Sequence, residues 1–205
     1  TYEPGTPPGA QPRTATGPQP EAGTSHFVAV DRNGDVASWT STIESFFGSQ
    51  LVANGVILNN ELTDFSFAPE KDGKLVANRV EPGKRPLSSM SPTIVYNDKG
   101  VPIFTVGAAG GRTIIMQVAK ALIAHFDWGL SAQDSIAHGL IYYNKDGLVL
   151  EQGTSLEAMK APLEKLGHHV TLSPLGLKAN AAERTAEGHW VGAADPRSPG
   201  VSLQE

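Results

Sequence analysis

Hydrophobic and polar positions alternate with a period of two from His26 to Asp31, which predicts a strand, and Asp35 to Thr42 returns as the second strand. Between them Asn33-Gly34 is a strong hairpin signal. Gly55-Val56-Ile57-Leu58 reads as a short apolar strand, followed by the polar run from Asn59 to Asp64. Residues 66–86 mix Gly, Pro and charge and predict a long loop, of the kind that often serves as a lid or binding loop. Thr93–Tyr96 and Pro102–Val106 flank Asn97-Asp98-Lys99-Gly100 as a second hairpin. The later strand runs into Gly107-Ala108-Ala109-Gly110-Gly111, and a helix follows from about 113 to 126, its apolar side marked by Ile114, Val118, Leu122 and by Ile115, Ala119, Phe126. Ser131 with Asp134 resembles a capping box for a second helix. Ser155 is expected to cap a third, with Leu156, Met159, Leu163 and Leu166 on one face and Gly167 at its end. Strands at 170–172 and 190–194 close the chain, and no internal repeat is visible. Hairpins and helices in separate blocks predict an α+β fold.

Composition changes this picture mainly at the N-terminus. Residues 1–23 hold six Pro and four Gly with almost nothing apolar, and such a segment buries too little surface to offset its ordering entropy. They are expected to form a disordered segment, and residues 24–205 the folded domain. The 205 residues carry 16 Lys+Arg against 21 Asp+Glu, a net charge of −5, and the only tight basic cluster is Lys84-Arg85. A nucleic-acid partner is therefore not expected, since phosphate affinity rests on clustered basic residues. Cys is absent, which excludes disulfides and thiolate metal sites. No run approaches the 18 or so apolar residues of a membrane-spanning helix. The chain opens at Thr1 with neither an initiator Met nor a signal peptide, as a processed piece or the back part of a longer protein would.

Four constellations could carry chemistry. At Gly23-Thr24-Ser25-His26 a hydroxyl residue stands where the linker meets a buried strand. Cleavage of the Gly23–Thr24 bond would give Thr24 an α-amine titrating near 8, fit to act as base for its own hydroxyl, although an ordinary strand start looks the same. Arg85-Pro86-Leu87-Ser88-Ser89-Met90-Ser91-Pro92 holds three hydroxyls between two prolines, as a substrate-aligning segment or a solvated turn. Gly107–Gly111 lies between strand and helix, where adjacent N–H groups can hold an oxyanion, or where a tight turn simply needs positive φ. Glu44, Glu61 and Asp64, with Asn59 and Asn60 between, are acceptors without basic neighbours, suited to an ammonium group or to plain solvation. Asp31, Asn33 and Asp35 imitate the start of a calcium loop, but Thr42 falls where its Glu should be, so a hairpin turn is preferred. His168-His169 lacks the spacing of a ligand pair, and no metal site is expected.

The order and spacing of these motifs are more specific than any one of them. Thr24-Ser25-His26-Phe27, Thr40-Ser41-Thr42, Leu58-Asn59-Asn60-Glu61-Leu62-Thr63-Asp64-Phe65-Ser66, Lys84–Pro92, Gly110-Gly111 and the closing Ala194-Asp195-Pro196-Arg197-Ser198 together resemble the small, catalytic subunit of γ-glutamyltransferases, also called glutathione hydrolases. The resemblance covers roughly residues 24–200. It implies the N-terminal-nucleophile hydrolase fold, with stacked antiparallel sheets between helix layers (αββα), of which this chain supplies about half. It implies self-cleavage before Thr24, attack of Thr24 on the γ-glutamyl carbonyl, and orientation of Thr24 by Thr42. Gly110 and Gly111 would form the oxyanion hole, Ser88 and Ser89 would hold the substrate α-carboxylate, and Glu44, Glu61 and Asp64 its α-amino group. The acyl-enzyme would pass the glutamyl group to water or to an amino-acid or peptide acceptor, without metal or organic cofactor.

Three positions depart from the family pattern: Glu44 stands where better-known bacterial members carry Asn, Ala109 replaces a Pro, and Arg112 replaces a small residue. None touches the acyl-transfer residues. The resemblance also implies an obligate heterodimer with the large subunit of the same precursor, and a periplasmic or secreted location. Two rival readings remain. One is a glutaryl-type β-lactam (cephalosporin) acylase of the same superfamily, whose substrate would leave the three carboxylates without a cation to meet. The other is a non-catalytic paralogue.

Overall fold

The computed structural model describes residues 23–144 and 146–203, so the segment expected to be disordered lies, except for Gly23, outside the described residues. In chain order the main elements are β1 (Thr24–Val30), β2 (Val36–Thr42), β3 (Val52–Ala53), β4 (Val56–Ile57), β5 (Glu70–Lys71), β6 (Lys74–Leu75), β7 (Thr93–Tyr96) and β8 (Pro102–Ala109). Then come α1 (Ile114–Phe126), α2 (Ala132–Ala137), β9 (Ile141–Asn144), β10 (Gly147–Glu151), α3 (Lys160–Lys165), β11 (Val170–Ser173), β12 (Lys178–Arg184) and β13 (Trp190–Ala194). The described residues fall into two compact units: Gly23 with Ile43–Ser88, and Thr24–Thr42 with 89–203.

The larger unit is built on an antiparallel sheet of order β13-β12-β8-β7. Helices α1 and α2 pack on one face and the β1–β2 hairpin on the other. β8 is therefore covered on both sides, which is why its sequence runs on as Ile-Phe-Thr-Val-Gly-Ala-Ala instead of alternating. Phe104, Val106 and Ala108 face the helices, in a core with Ile114, Val118, Ala121, Ile136, Ala179, Ala181 and Ala193. Between them Gly107 faces the hairpin, its missing side chain filled by the His26 ring. β12, which the sequence pattern did not reveal, lies between β8 and β13. Its Lys-Ala-Asn-Ala-Ala-Glu-Arg is poor in β-branched residues and looks helical by propensity, yet Ala179, Ala181 and Ala182 are buried in the sheet.

A second sheet, β11-β10-β9, has a parallel β10–β11 pair connected through α3. It is tied to the C-terminal Asp195-Pro196-Arg197 by a buried ion network. Arg197 binds both carboxylate oxygens of Glu151, Asp195 Oδ1 (2.9 Å), and the carbonyls of Ile136, Ala137 and His138 at the end of α2. Lys120 Nζ donates to the Ile136 and His138 carbonyls, and burial beside Arg197 pushes its pKa down to about 8.

Helix ends follow local chemistry with one correction. Ser131 Oγ accepts the Asp134 N–H at 3.0 Å, as a capping box requires. The third helix is not capped by Ser155. Thr154 caps a 3₁₀ turn, Ser155–Met159, and only Lys160–Lys165 is α-helical. Leu166 and Met159 remain exposed, so this apolar face is not buried by the described chain. Gly167 does end it, at φ 92°, with the 6→1 and 5→2 bonds of a Schellman motif. At 31–35, Asp31 Oδ1 accepts the N–H groups of Asn33 (2.8 Å) and Asp35 (2.9 Å), so this carboxylate serves a hairpin turn. In the smaller unit the expected loop over 66–86 contains the small β5–β6 hairpin, and Ser66 bridges to Arg79. Among the described residues no helix is long and apolar enough to cross a membrane.

Candidate active site

The register of the first hairpin decides what Thr24 meets. With Val30 opposite Val36 across the Asp31–Asp35 turn, Thr24 falls opposite Thr42 and His26 opposite Thr40. Alternation places these four side chains on the inner face. Thr24 is buried, and its hydroxyl donates to Thr42 Oγ1 at 2.9 Å. One step along, His26 Nδ1 and Thr40 Oγ1 are 2.9 Å apart. On the outer face Phe27 stacks on Trp39 with ring centroids 6.0 Å apart.

The sequence marks His26 only as part of the Thr-Ser-His motif; the structure gives it a role. Its ring lies in the space left by Gly107, and its carbonyl accepts from Asn180 Nδ2 at 2.6 Å. Burial lowers its pKa from an ordinary 6.5 to about 4, and Nε2 has no hydrogen-bond partner among the described residues, so the ring is neutral at pH 7. His26 thus clamps the strand that carries Thr24 to β8 and β12, where Gly107 and Asn180 are paired.

β8 ends in the glycine pair. Gly110 has φ 125° and Gly111 φ 54°, conformations that side chains rarely adopt, and they turn the chain into the 3₁₀ segment that opens α1. Thr113 Oγ1 donates to the Gly110 carbonyl (2.8 Å). Gln117, buried, donates to the Ala109 carbonyl (2.8 Å) and to Thr113 Oγ1 (3.0 Å). Carbonyls around the turn are thereby engaged from the helix side, and the two glycine N–H groups stand at a helix N-terminus suited to a developing anion. Sequence reasoning does not single out Gln117, because an amide on an apolar helix gives no signal until a strand end is placed beside it.

The remaining predicted residues, apart from Ser89, belong to the smaller unit. Glu44 adopts φ 71°, an uncommon conformation for a side-chain-bearing residue and one often found at functional sites. Its carboxylate accepts from Ser45 Oγ (2.6 Å) and from Asn60 Nδ2. Asn60 also accepts from the Ser45 N–H (3.0 Å) and so holds the turn together. Glu61 and Asp64 open and close a single 3₁₀ turn. Both have raised pKa values: for Glu61 through burial, then the charges of Asp64 and Glu44, and for Asp64 through burial, then Glu44. Glu61 and Asp64 also share a side-chain hydrogen bond, and carboxylates gathered in this way suit a bound cation. Gly23 belongs here too. A Cβ on it would lie 2.4 Å from the Glu44 carbonyl oxygen, and the Gly23 carbonyl accepts from the Ile43 N–H at 3.4 Å. Ser88 is exposed at the end of this unit, and the half-buried Ser89 opens the next segment of the larger one, its carbonyl accepting from Ser91 Oγ at 3.3 Å.

Comparison with known proteins gives this geometry a family. The sequence profile of the gamma-glutamyltranspeptidase family matches residues 4–204. The glutathione hydrolase proenzyme of Bacillus subtilis (strain 168) is 37% identical over 188 residues, covering 89% of this chain and 31% of that protein. The Escherichia coli (strain K12) proenzyme is 36% identical over 184 residues, with coverages of 85% and 31%. The chain thus spans about a third of the length of these curated relatives. Among solved structures, the Helicobacter pylori gamma-glutamyltranspeptidase superposes with a TM-score of 0.75 at 31% identity, over 84% of this chain and 99% of that one. An acivicin-inhibited gamma-glutamyltranspeptidase, described as revealing critical roles for its C-terminus in autoprocessing and catalysis, gives 0.75 and 31%, covering 85% and 98%. A cephalosporin acylase from Bacillus halodurans, 21% identical with a TM-score of 0.72, shares the fold. The fold is that of the N-terminal-nucleophile hydrolases, and the chain belongs to the gamma-glutamyltranspeptidase family.

Proposed function

We propose that this chain is the catalytic portion of a self-cleaving enzyme that transfers or hydrolyses the γ-glutamyl group of glutathione and related compounds. The observation that carries the reading is the buried Thr24 hydroxyl, bonded to Thr42 at 2.9 Å directly after a glycine that tolerates no side chain. In the continuous chain the Thr24 nitrogen is an amide. Attack of Thr24 Oγ on the Gly23 carbonyl carbon forms an ester and releases the Thr24 amine; water then hydrolyses the ester, leaving a Gly23 carboxylate and a free N-terminal Thr24. That amine, titrating near 8, takes the hydroxyl proton in the second reaction.

Thr24 Oγ then adds to the γ-glutamyl carbonyl. The Gly110 and Gly111 N–H groups hold the oxyanion, and the amine returns its proton to the leaving nitrogen as the C–N bond breaks. Water, or the amine of an amino acid or peptide, resolves the acyl-enzyme, and ping-pong kinetics follow. Ser88 and Ser89 receive the α-carboxylate, and Glu44, Glu61 and Asp64 the α-ammonium. The rest of the precursor acts as partner subunit, in keeping with the chain's one-third share of its relatives, and the protein works in the periplasm or outside the cell. The acidic trio favours a γ-glutamyl over a glutaryl substrate, because a glutaryl group brings no cation.

The test is to express the full precursor with Thr24 and with Thr24→Ala. A new N-terminus at Thr24 by mass and sequencing, absent in the variant, with turnover of γ-glutamyl but not glutaryl anilide, supports the reading. Cleavage that persists in Thr24→Ala, or preference for the glutaryl compound, overturns it.

A further inference from the structure

The acidic group and Ser88 stand at opposite ends of a long excursion, residues 65–87, that leaves the smaller unit's turn at Asp64 and returns just before the serine pair. One side chain closes it. Asn78 Nδ2 donates to the Asp64 carbonyl at 2.7 Å, and Asn78 Oδ1 accepts from the Leu87 N–H at 2.9 Å. The Asn78 carbonyl in turn accepts from the Ser66 N–H at 2.7 Å. Bridging an acceptor and a donor needs a terminus with both, which a carboxamide has and a carboxylate lacks. The turn carrying Asn78 is itself tied down: Arg79 binds the Val76 carbonyl (3.0 Å) and Glu81, while Lys84 Nζ binds the Ala77 carbonyl (2.6 Å) and Glu81 (3.0 Å).

We propose that Asn78 is a positioning residue that sets the spacing between the ammonium-binding carboxylates and Ser88 of the carboxylate-binding pair. This rests on the proposed binding of the substrate's α-ammonium and α-carboxylate by those two groups. An α-amino acid carries both charges on one carbon, so the two halves of its receptor have to match it together, and drift of either weakens both. Asn78 touches neither substrate nor nucleophile in this scheme; its effect passes through Asp64 and Leu87.

The test uses the full-length precursor, allowed to mature, with Asn78→Ala, Asn78→Asp and Asn78→Gln. Asn78→Asp keeps the shape and the acceptor but turns a carboxylate toward the Asp64 carbonyl. Hydrolysis of γ-glutamyl anilide is measured together with inhibition by free glutamate. The expected result for Ala and Asp is a KM about tenfold higher or more, with glutamate inhibition weakened in proportion and kcat reduced much less. Asn78→Gln, which keeps both groups, recovers part of the KM. Lys71→Ala, in the exposed β5–β6 hairpin, serves as control and keeps the wild-type KM. KM within twofold of wild type in the Asp variant overturns the proposal, as does a fall in kcat and self-cleavage matching the rise in KM, the mark of a merely structural role. A wild-type enzyme that matures but turns over no γ-glutamyl anilide overturns the underlying assignment instead.

Discussion

A methyl group at Gly107 should uncouple the Thr24 strand from the sheet whose β8 ends in the Gly110-Gly111 pair. The added Cβ of Gly107→Ala would lie 2.2 Å from Cε1, 2.4 Å from Nδ1 and 2.5 Å from Nε2 of His26, so it occupies the place of the ring. Normal contact is at about 3.5–4 Å, and the ring must therefore retreat by roughly 1 Å or more. It is buried, so the retreat breaks its 2.9 Å contact with Thr40 Oγ1 or moves β1 bodily. Overpacking of this kind costs about 1–3 kcal/mol. Leaving the imidazole nitrogen unpaired costs a further 1–3 kcal/mol or so. Thr24 lies two residues away on the same strand, and a displacement of about 1 Å at a reacting group can reduce the rate on the order of 100-fold.

The assay is kcat and extent of self-cleavage for wild type, Gly107→Ala, His26→Ala and the double variant, with the unfolding midpoint of each. Gly107→Ala is expected to lower kcat about 10- to 100-fold, with slower cleavage. Gly176→Ala, where an added Cβ meets nothing within 4 Å, should change stability by less than about 0.5 kcal/mol. In the His26→Ala background the methyl group has room, so its added cost should shrink. Equal costs of Gly107→Ala with and without the His26 ring would refute the clamp.

Three further outcomes are expected. The depressed pKa of His26, about 4 against 6.5 unfolded, means that the neutral ring contributes stability above pH 6.5 that is lost as pH falls toward 4, on the order of 3 kcal/mol in all; urea melts at pH 7.5 and 4.5 should show this loss, and His26→Asn should lack it. Glu61 and Asp64 titrate above their ordinary values, chiefly through burial, so kcat/KM for a γ-glutamyl substrate should fall as acid protonates them, which a pH profile of kcat/KM checks. Arg197→Ala would leave Glu151 and Asp195 buried without their cation and should destabilise the fold by about 3–5 kcal/mol, read as a drop in the thermal midpoint, whereas replacement of an exposed residue such as Arg112 should not.

Features decided by neighbours along the chain are legible in the sequence by itself. The Asn33-Gly34 hairpin and its two strands are such features, whereas the placing of Thr24 opposite Thr42 is implied only by the family resemblance and is set in the fold by a turn in which Gly34 alone takes positive φ. The glycine pair between β8 and α1, the Ser131 cap and the Gly167 stop are likewise local conformational statements. The order of the motifs carried the family. What the sequence could not disclose depends on residues far apart in the chain meeting across the fold. β12 is a strand because β8 and β13 flank it, against its own propensity. His26 is a neutral clamp only because Gly107 and Asn180 are brought under it from β8 and β12. Gln117 and Asn78 are unremarkable amides until the carbonyls of Ala109 and Asp64 are set within hydrogen-bonding reach. Periodicity and turn chemistry act over a few residues, whereas burial, pKa shifts and the pairing of buried polar groups arise only when packing removes water from distant segments at once.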